Sequence, residues 1–345
     1  MSEVPMCTVV IGSFLEAELV EHISASGPGL SVLYHPELLP VPRYACDHGG
    51  WPRDLTAEQL SRWEETATQA DVFFDFDWLD PASMPTRCPD LKWIQATSAG
   101  IGAFMQRTGL DRSGLVVTTA SGIHAVPLAE FALTGVLYFV KGLPVLGRWQ
   151  HDHHWERYTT RQLAGLRALV VGLGGIGRRV AALFAGLGVE VWGLERAGVS
   201  RDLPSVRRVI TRDDLDEALP SIDALILCCP LTRDTECLIG AEQIARLGPG
   251  TVVVNISRGQ VIDQAALLEA LQERRIGGAC LDVFSMEPLP VDSPLWDLDN
   301  VIVSPHSAST VANENALLVE LFVENLNRFR QDRPLRNRYD AAAGY

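Results

Sequence analysis

Short apolar runs separated by amphipathic stretches recur along most of the chain. Residues 7–11 read as a buried strand. Ser13-Phe14-Leu15-Glu16 then has capping-box spacing ahead of an apolar-periodic helix that runs to Ile23. Residues 31–34 suggest the next strand, and the Pro-, Gly- and His-rich residues 36–52 a long loop. Thr56-x-x-Gln59 opens another helix, and residues 71–76 and 91–96 look like buried strands. Strands alternating with helices predict βαβ units and a parallel sheet. Residues 1–118 thus form a small α/β domain.

A second series begins near residue 120. Residues 124–141 make a long helix with Pro127 tolerated in its first turn. Strands follow at 168–171, 189–194, 224–228, 251–256, 278–283 and 301–303, with helices at Asp213, Ala241 and Gln264 between them. This series, residues 119–306, reads as a second domain. The last helix, 310–330, is too long and too far from the final strand to belong to it, so residues 307–345 are expected to return to the first domain.

Residues 168–195 hold the most informative local pattern. The run Ala168-Leu169-Val170-Val171 leads into Gly172-x-Gly174-Gly175-Ile176-Gly177 and an apolar-periodic helix, and a second strand ends at Glu195. Gly172 suits the tight turn, Gly174 lets a pyrophosphate approach the backbone, and Gly177 lets the helix pack close to the strand. The helix start offers N–H groups and partial positive charge to phosphates. Glu195 sits where a carboxylate can accept from an adenosine ribose, which favours NAD; the adjacent Arg196 leaves NADP open. A Gly-rich turn alone would mean little, but strand, glycines, helix, strand and acid occur here in order.

Composition narrows the rest. A chain of 345 residues is long enough for two domains, and a net charge of -14 argues against a nucleic-acid groove. An anionic substrate would then need a local basic residue. Seven cysteines without framework spacing suggest reduced thiols in a cytoplasmic protein. The N-terminus lacks a signal-peptide layout, and the most apolar helix, 125–140, contains Glu130 and is short for a membrane span. His151-Asp152-His153-His154 resembles a metal tract, but contiguous histidines diverge and no second ligand cluster accompanies them. A solvated connection and no metal are expected. Cys228-Cys229 reads as an apolar strand end rather than a redox pair, and Arg178 as either a phosphate contact or an exposed helix position.

Three later strands each end in a polar group: Arg258 after 251–256, Glu287 after 278–283, and His306 after 301–303. Taken singly, these are a surface charge, a solvated loop acid and a structural histidine. Ligands in open parallel sheets bind outside the carboxyl ends of strands, so the three together suggest one site beside a nicotinamide.

The chain resembles the D-isomer-specific 2-hydroxyacid dehydrogenases. The resemblance rests on Ser98-Ala99-Gly100-Ile101, Gly122-Ile123-His124 through Glu130, the glycine turn, Pro230-Leu231-Thr232, and Asn255 to Gly259. It continues through Leu281-Asp282-Val283-Phe284, Glu287-Pro288 and Ser304-Pro305-His306. It implies a Rossmann-type doubly wound sheet plus a smaller flavodoxin-like α/β substrate domain formed by both chain ends. By the same resemblance Arg258, Glu287 and His306 are catalytic, and the Ala99 and Gly100 backbone holds the substrate carboxylate with Arg258. Cys229, Pro230 and Asp282 lie near the nicotinamide, and the protein is a homodimer in which Trp149 or Trp155 helps shape the partner's active site. The implied reaction moves a hydride between NAD(H) and a small 2-oxoacid such as glyoxylate or hydroxypyruvate. His306 is the proton donor, its pKa raised by Glu287 above roughly 6.5. Two alternatives stand beside it: an NAD(H)-sensing protein of the corepressor type, and a phosphite-oxidising relative. The side-chain pocket falls to residues 44–53 and 76–79, where Trp51, Phe76 and Trp78 suggest apolar lining and Arg53 an anionic ligand.

Overall fold

Trp93, Phe74 and Phe322 share one buried cluster, although Phe322 lies more than two hundred residues further along the chain. The Trp93 and Phe322 rings stack with centroids 5.2 Å apart, and Phe74 meets Phe322 edge-on at the same distance. Aromatic side chains of this size dominate the burial that holds a core together. The two ends of the chain therefore build one unit, made of the residues up to Ile123 and those from Thr310 onward, while His124–Ser309 form a second. The computed structural model describes residues 6–342 and 344, apart from 197 and 199–202.

In the first unit, β1 (Cys7–Ile11), β2 (Leu30–Leu33), β3 (Val72–Phe74), β4 (Trp93–Gln95) and β5 (Val116–Thr118) form an all-parallel sheet in the order β2-β1-β3-β4-β5. This is the flavodoxin-like arrangement, with its switch point between β1 and β3. The Glu314–Arg330 helix packs its Leu318, Phe322 and Leu326 on the sheet. Asn325, fully buried, donates to Gln95 Oε1 at 3.1 Å.

The second unit carries β6 (Arg167–Val171), β7 (Glu190–Leu194), β8 (Arg208–Ile210), β9 (Ala224–Leu227), β10 (Val252–Asn255), β11 (Gly278–Leu281) and β12 (Val301–Val303). Their order is β12-β11-β10-β9-β6-β7-β8, all parallel. Strand side chains alternate between faces. Leu169, Val171, Leu225 and Val253 enter one core, while Ala168, Val170, Ile226 and Val254 enter the other, under the Ala125–Val140 and Gly175–Gly186 helices. The chain order reverses between β6 and β9, the Rossmann switch point. No single helix among the described residues is long and apolar enough to cross a membrane.

Several sequence expectations need correction. The capping box at Ser13 does not form: the first helix is Ala17–Ser24, its N-cap Glu16 makes no side-chain cap bond, and Ser13 Oγ instead pairs with His48 Nδ1 at 3.0 Å. The box at Thr56 does form. Residues 36–52 hold a short 3-10 turn at Pro36–Leu38 and an antiparallel bridge between Val41 and Trp51. Strands β5 and β8 are additions, each only three residues long. Near Asp213 the chain makes a 3-10 turn before a four-residue helix, Leu215–Ala218. The last helix starts at Glu314 rather than 310, because the Val311 carbonyl turns aside to accept from Glu314 N and the Cys46 thiol. His151 closes a further helix, Leu143–His151, so only the histidines after it lie in a connection.

Candidate active site

Six strands of the second unit, β6, β7, β9, β10, β11 and β12, bring candidate residues to the carboxyl edge of its sheet. At the first, β6 gives way to Gly172, whose φ of +91° is open to glycine at little cost. A Cβ there would lie 2.8 Å from the Cys229 backbone, so the glycine turn sits directly on the segment after β9. At Gly177 a Cβ would come within 1.9 Å of the Gly172 carbonyl, which fixes how close the Gly175–Gly186 helix packs. Gly174 differs. It is exposed, and nothing lies within 4 Å of the place its Cβ would take. The helix it introduces has no side-chain cap. An open cradle beside uncapped N–H groups at a helix start fits a dinucleotide pyrophosphate. Gly175 is exposed, Ile176 is half-buried, and Arg178 is exposed on the next turn.

The remaining cofactor candidates lie around this turn. Glu195 follows β7 and is half-buried, and its Oε1 accepts from the Arg196 N–H at 3.2 Å. Arg196 is exposed. Cys229 is buried beneath Gly172, with Pro230 exposed beyond it. Burial pushes the Cys229 thiol up to about 11, and Cys228 is raised by the same cause.

Arg258 follows β10 in a loop held by buried Asn255. The Asn255 amide donates to the Arg258 carbonyl at 3.0 Å, and its oxygen accepts from Ser257 N and Oγ. Burial draws the guanidinium below its ordinary value while Glu287 pulls it back up, so these two groups feel one another. An arginine stays charged under such a shift. The Glu287 loop is fastened to the same region through Gln260, which donates to the Ser285 carbonyl at 3.2 Å.

Glu287 and His306 form the centre of the arrangement. Glu287 Oε1 accepts from the Phe284 N–H at 3.0 Å, and Oε2 pairs with His306 Nδ1 at 2.8 Å. The side chains are 36% and 45% exposed, so the pair is open to an incoming molecule. His306 has a φ of +56°, an uncommon conformation for a residue with a side chain. Such strain persists only where neighbours impose it. Here the neighbour is Asp282, just past β11 and 2% exposed. Its carbonyl accepts from His306 N, and its Oδ1 accepts from Ser304 Oγ at 2.6 Å, Ser307 N at 2.9 Å and Ala308 N at 3.0 Å. One buried carboxylate thus sets the loop that presents the histidine. The sequence reading set Asp282 beside the cofactor and missed this bracing, because its donors lie more than twenty residues away.

The other two candidates belong to the first unit. Ala99 is half-buried and Gly100 exposed, in the loop that follows β4. That loop is tied to the end of β5 by Ala120 N donating to the Ser98 carbonyl at 3.1 Å. At the same sheet edge lie Ser13, whose local pattern suggests only a helix cap, and His48, Asp75 and Thr97, which carry no local sequence signal. Trp51 and Arg53 are exposed, the latter donating to the Leu39 carbonyl. In the second unit, His154 meets Glu156 at 2.9 Å, and among the described residues no three His, Cys, Asp or Glu side chains gather as a metal site.

Known proteins resemble this chain in sequence and in fold. Residues 133–308 match the family model described as D-isomer specific 2-hydroxyacid dehydrogenase, NAD binding domain. A glyoxylate/hydroxypyruvate reductase of Arabidopsis thaliana is 32% identical over 251 residues, which span 72% of this chain and 76% of that protein. A D-isomer specific 2-hydroxyacid dehydrogenase family protein from Aeromonas salmonicida superposes with a TM-score of 0.80 at 26% identity, covering 97% of this chain and 99% of the other. One from Xanthobacter autotrophicus, solved with NADPH and MES, gives 0.77 at 30% identity, covering 99% and 100%.

Proposed function

The chain belongs to the D-isomer specific 2-hydroxyacid dehydrogenase family, NAD(P)-dependent oxidoreductases acting on CH–OH donors, and from that premise we propose that it reduces a short 2-oxoacid of the glyoxylate or hydroxypyruvate type. The observation that carries this reading is the 2.8 Å pairing of His306 Nδ1 with Glu287 Oε2. With Nδ1 engaged, Nε2 is the nitrogen that moves the proton. Protonated His306 gives it to the ketone oxygen in reduction and, as the neutral ring, takes it back in oxidation. Glu287, itself fixed by the Phe284 N–H, orients the ring and balances its positive charge. The nicotinamide, when bound, supplies or accepts the hydride.

Arg258 pairs with the substrate carboxylate and stabilises charge growing on the carbonyl oxygen. In the first unit, the N–H groups of Ala99 and Gly100 are the candidates for binding a substrate carboxylate. Gly172, Gly174, Gly175, Ile176 and Gly177 receive the pyrophosphate, Cys229, Pro230 and Asp282 border the nicotinamide, and Glu195 takes the ribose. With a carboxylate in that place the enzyme favours NADH, although Arg196 is at hand for a 2′-phosphate. The unit built from both chain ends is the substrate-binding one. A homodimer is supported by Trp155, 96% exposed, with Leu143, Leu146 and Tyr158 also exposed nearby. Seven unpaired thiols support a cytoplasmic location.

The test is NADH and NADPH oxidation by the purified protein with glyoxylate, hydroxypyruvate and pyruvate, alongside His306→Ala and Arg258→Ala. Each variant should lose about 10²- to 10⁴-fold in kcat while NADH fluorescence still reports cofactor binding. Wild-type turnover in either variant removes the assigned roles. Tight NADH binding without turnover of any acid would point to a sensor instead.

A further inference from the structure

The carboxyl edge of the first unit's sheet carries a polar cluster that the reaction chemistry above does not use. Asp75, directly after β3, has a φ of +67°. His48, the Phe76 N–H and the Thr97 and Ser13 hydroxyls lie close enough to its carboxyl to favour the charged form. Ser13 and Thr97 are 1% and 5% exposed. Burial pushes the Asp75 carboxyl up, with His48 opposing that shift. Ser13 Oγ pairs with His48 Nδ1 at 3.0 Å. His48 Nε2 is buried and has no hydrogen-bond partner among the described residues. Buried polar atoms are nearly always satisfied, so an orphan of this kind calls for a missing partner.

The position points to what that partner is. Asp75 N donates to the Gln95 carbonyl, so the cluster sits one strand from the loop bearing Ala99 and Gly100. Neighbouring strands lie about 4.8 Å apart, within reach of a short 2-oxoacid held by its carboxylate at that loop. We infer that His48 and Asp75, braced by Ser13 and Thr97, form a side-chain subsite that selects 2-oxoacids carrying a hydroxyl on the third carbon. A hydroxyl suits the cluster because it can both give and take a proton, and so satisfies His48 Nε2 in either protonation state. An alkyl group of the same size would leave that nitrogen unmatched. Sites built to hydrogen-bond a substrate hydroxyl reject analogues lacking it far more strongly than apolar pockets reject a hydroxyl. The inference rests on the 2-oxoacid reductase reading.

Hydroxypyruvate and 2-oxobutyrate differ by a hydroxyl in place of a methyl, and glyoxylate has no third carbon. The experiment measures kcat/KM for all three with the purified full-length enzyme and its preferred cofactor, then repeats it for His48→Phe and Asp75→Asn. The wild type should favour hydroxypyruvate over 2-oxobutyrate by at least about 100-fold. Each variant should cut that ratio at least ten-fold and leave glyoxylate within three-fold of wild type. Wild-type preference for 2-oxobutyrate overturns the subsite without any variant, as does an unchanged ratio in two folded variants that still reduce glyoxylate. Failure to turn over glyoxylate or any other acid would instead remove the reductase reading, and this inference with it.

Discussion

Both parallel sheets have a switch point with a glycine after the strand that leads into it, and the two have been put to opposite use. In the second unit Gly172 follows β6 and presses on Cys229; in the first Gly12 follows β1, where a Cβ would lie 2.5 Å from the Phe76 carbonyl. Beyond this they diverge. After Gly172 the helix begins within three residues, uncapped and fronted by open space at Gly174. After Gly12 the helix waits until Ala17, and the gap fills with Ser13, His48 and Asp75. The lesson is that topology provides a crevice, and the distance from strand end to helix start decides whether backbone or side chains address the ligand. Backbone N–H groups serve a phosphate, whereas side chains discriminate smaller and more varied groups.

Glycine substitutions should break the comparison with the largest effect. Gly12→Ala meets a backbone carbonyl and should cost about 1–3 kcal/mol of stability, read as a lower Tm, with cofactor affinity unchanged. Gly174→Ala enters open space, so stability should stay within about 0.5 kcal/mol while NADH affinity falls at least ten-fold. Identical behaviour of the two variants would erase the distinction between filled and open crevices.

A smaller effect concerns the loop that carries His48. Asp47 accepts from the Arg43 backbone and guanidinium and from Gly49 N, and the Arg43 guanidinium holds its carboxyl well below the ordinary range. A folded value depressed below the unfolded one, roughly 3.9, contributes stability above that pH and loses it as the pH falls further. Asp47→Asn should therefore lower Tm at neutral pH, with the gap to wild type closing steadily below about pH 4. A gap that stays constant into acid would refute the pairing. Smallest is a difference in reactivity. Cys237 is the exposed thiol, whereas Cys228 and Cys229 are raised by burial under the glycine turn. Brief iodoacetamide treatment at neutral pH should add one label per chain, found at Cys237 by mass spectrometry.

Legibility in the sequence followed the range of the interactions. The glycine turn, Glu195 and the strand ends bearing Arg258, Glu287 and His306 were readable because each depends on neighbours a few residues away. Ser13 misled because its hydroxyl is claimed by His48, far along the chain, before it can cap a helix. β8 escaped notice because two of its three residues are exposed, which hides a buried run. The bracing by Asp282 was invisible for the same reason of range.

The stacking of Trp93 on Phe322 has a bearing on synthesis. During translation the seven-stranded sheet is made in full before the Glu314–Arg330 helix leaves the ribosome. The central unit can close on its own cores, as domains generally fold as units. The five-stranded sheet, though made first, must wait with Phe74 and Trp93 uncovered until the last helix arrives. The oldest part of the nascent chain is therefore the last to mature, and it is the part a chaperone would need to shield longest.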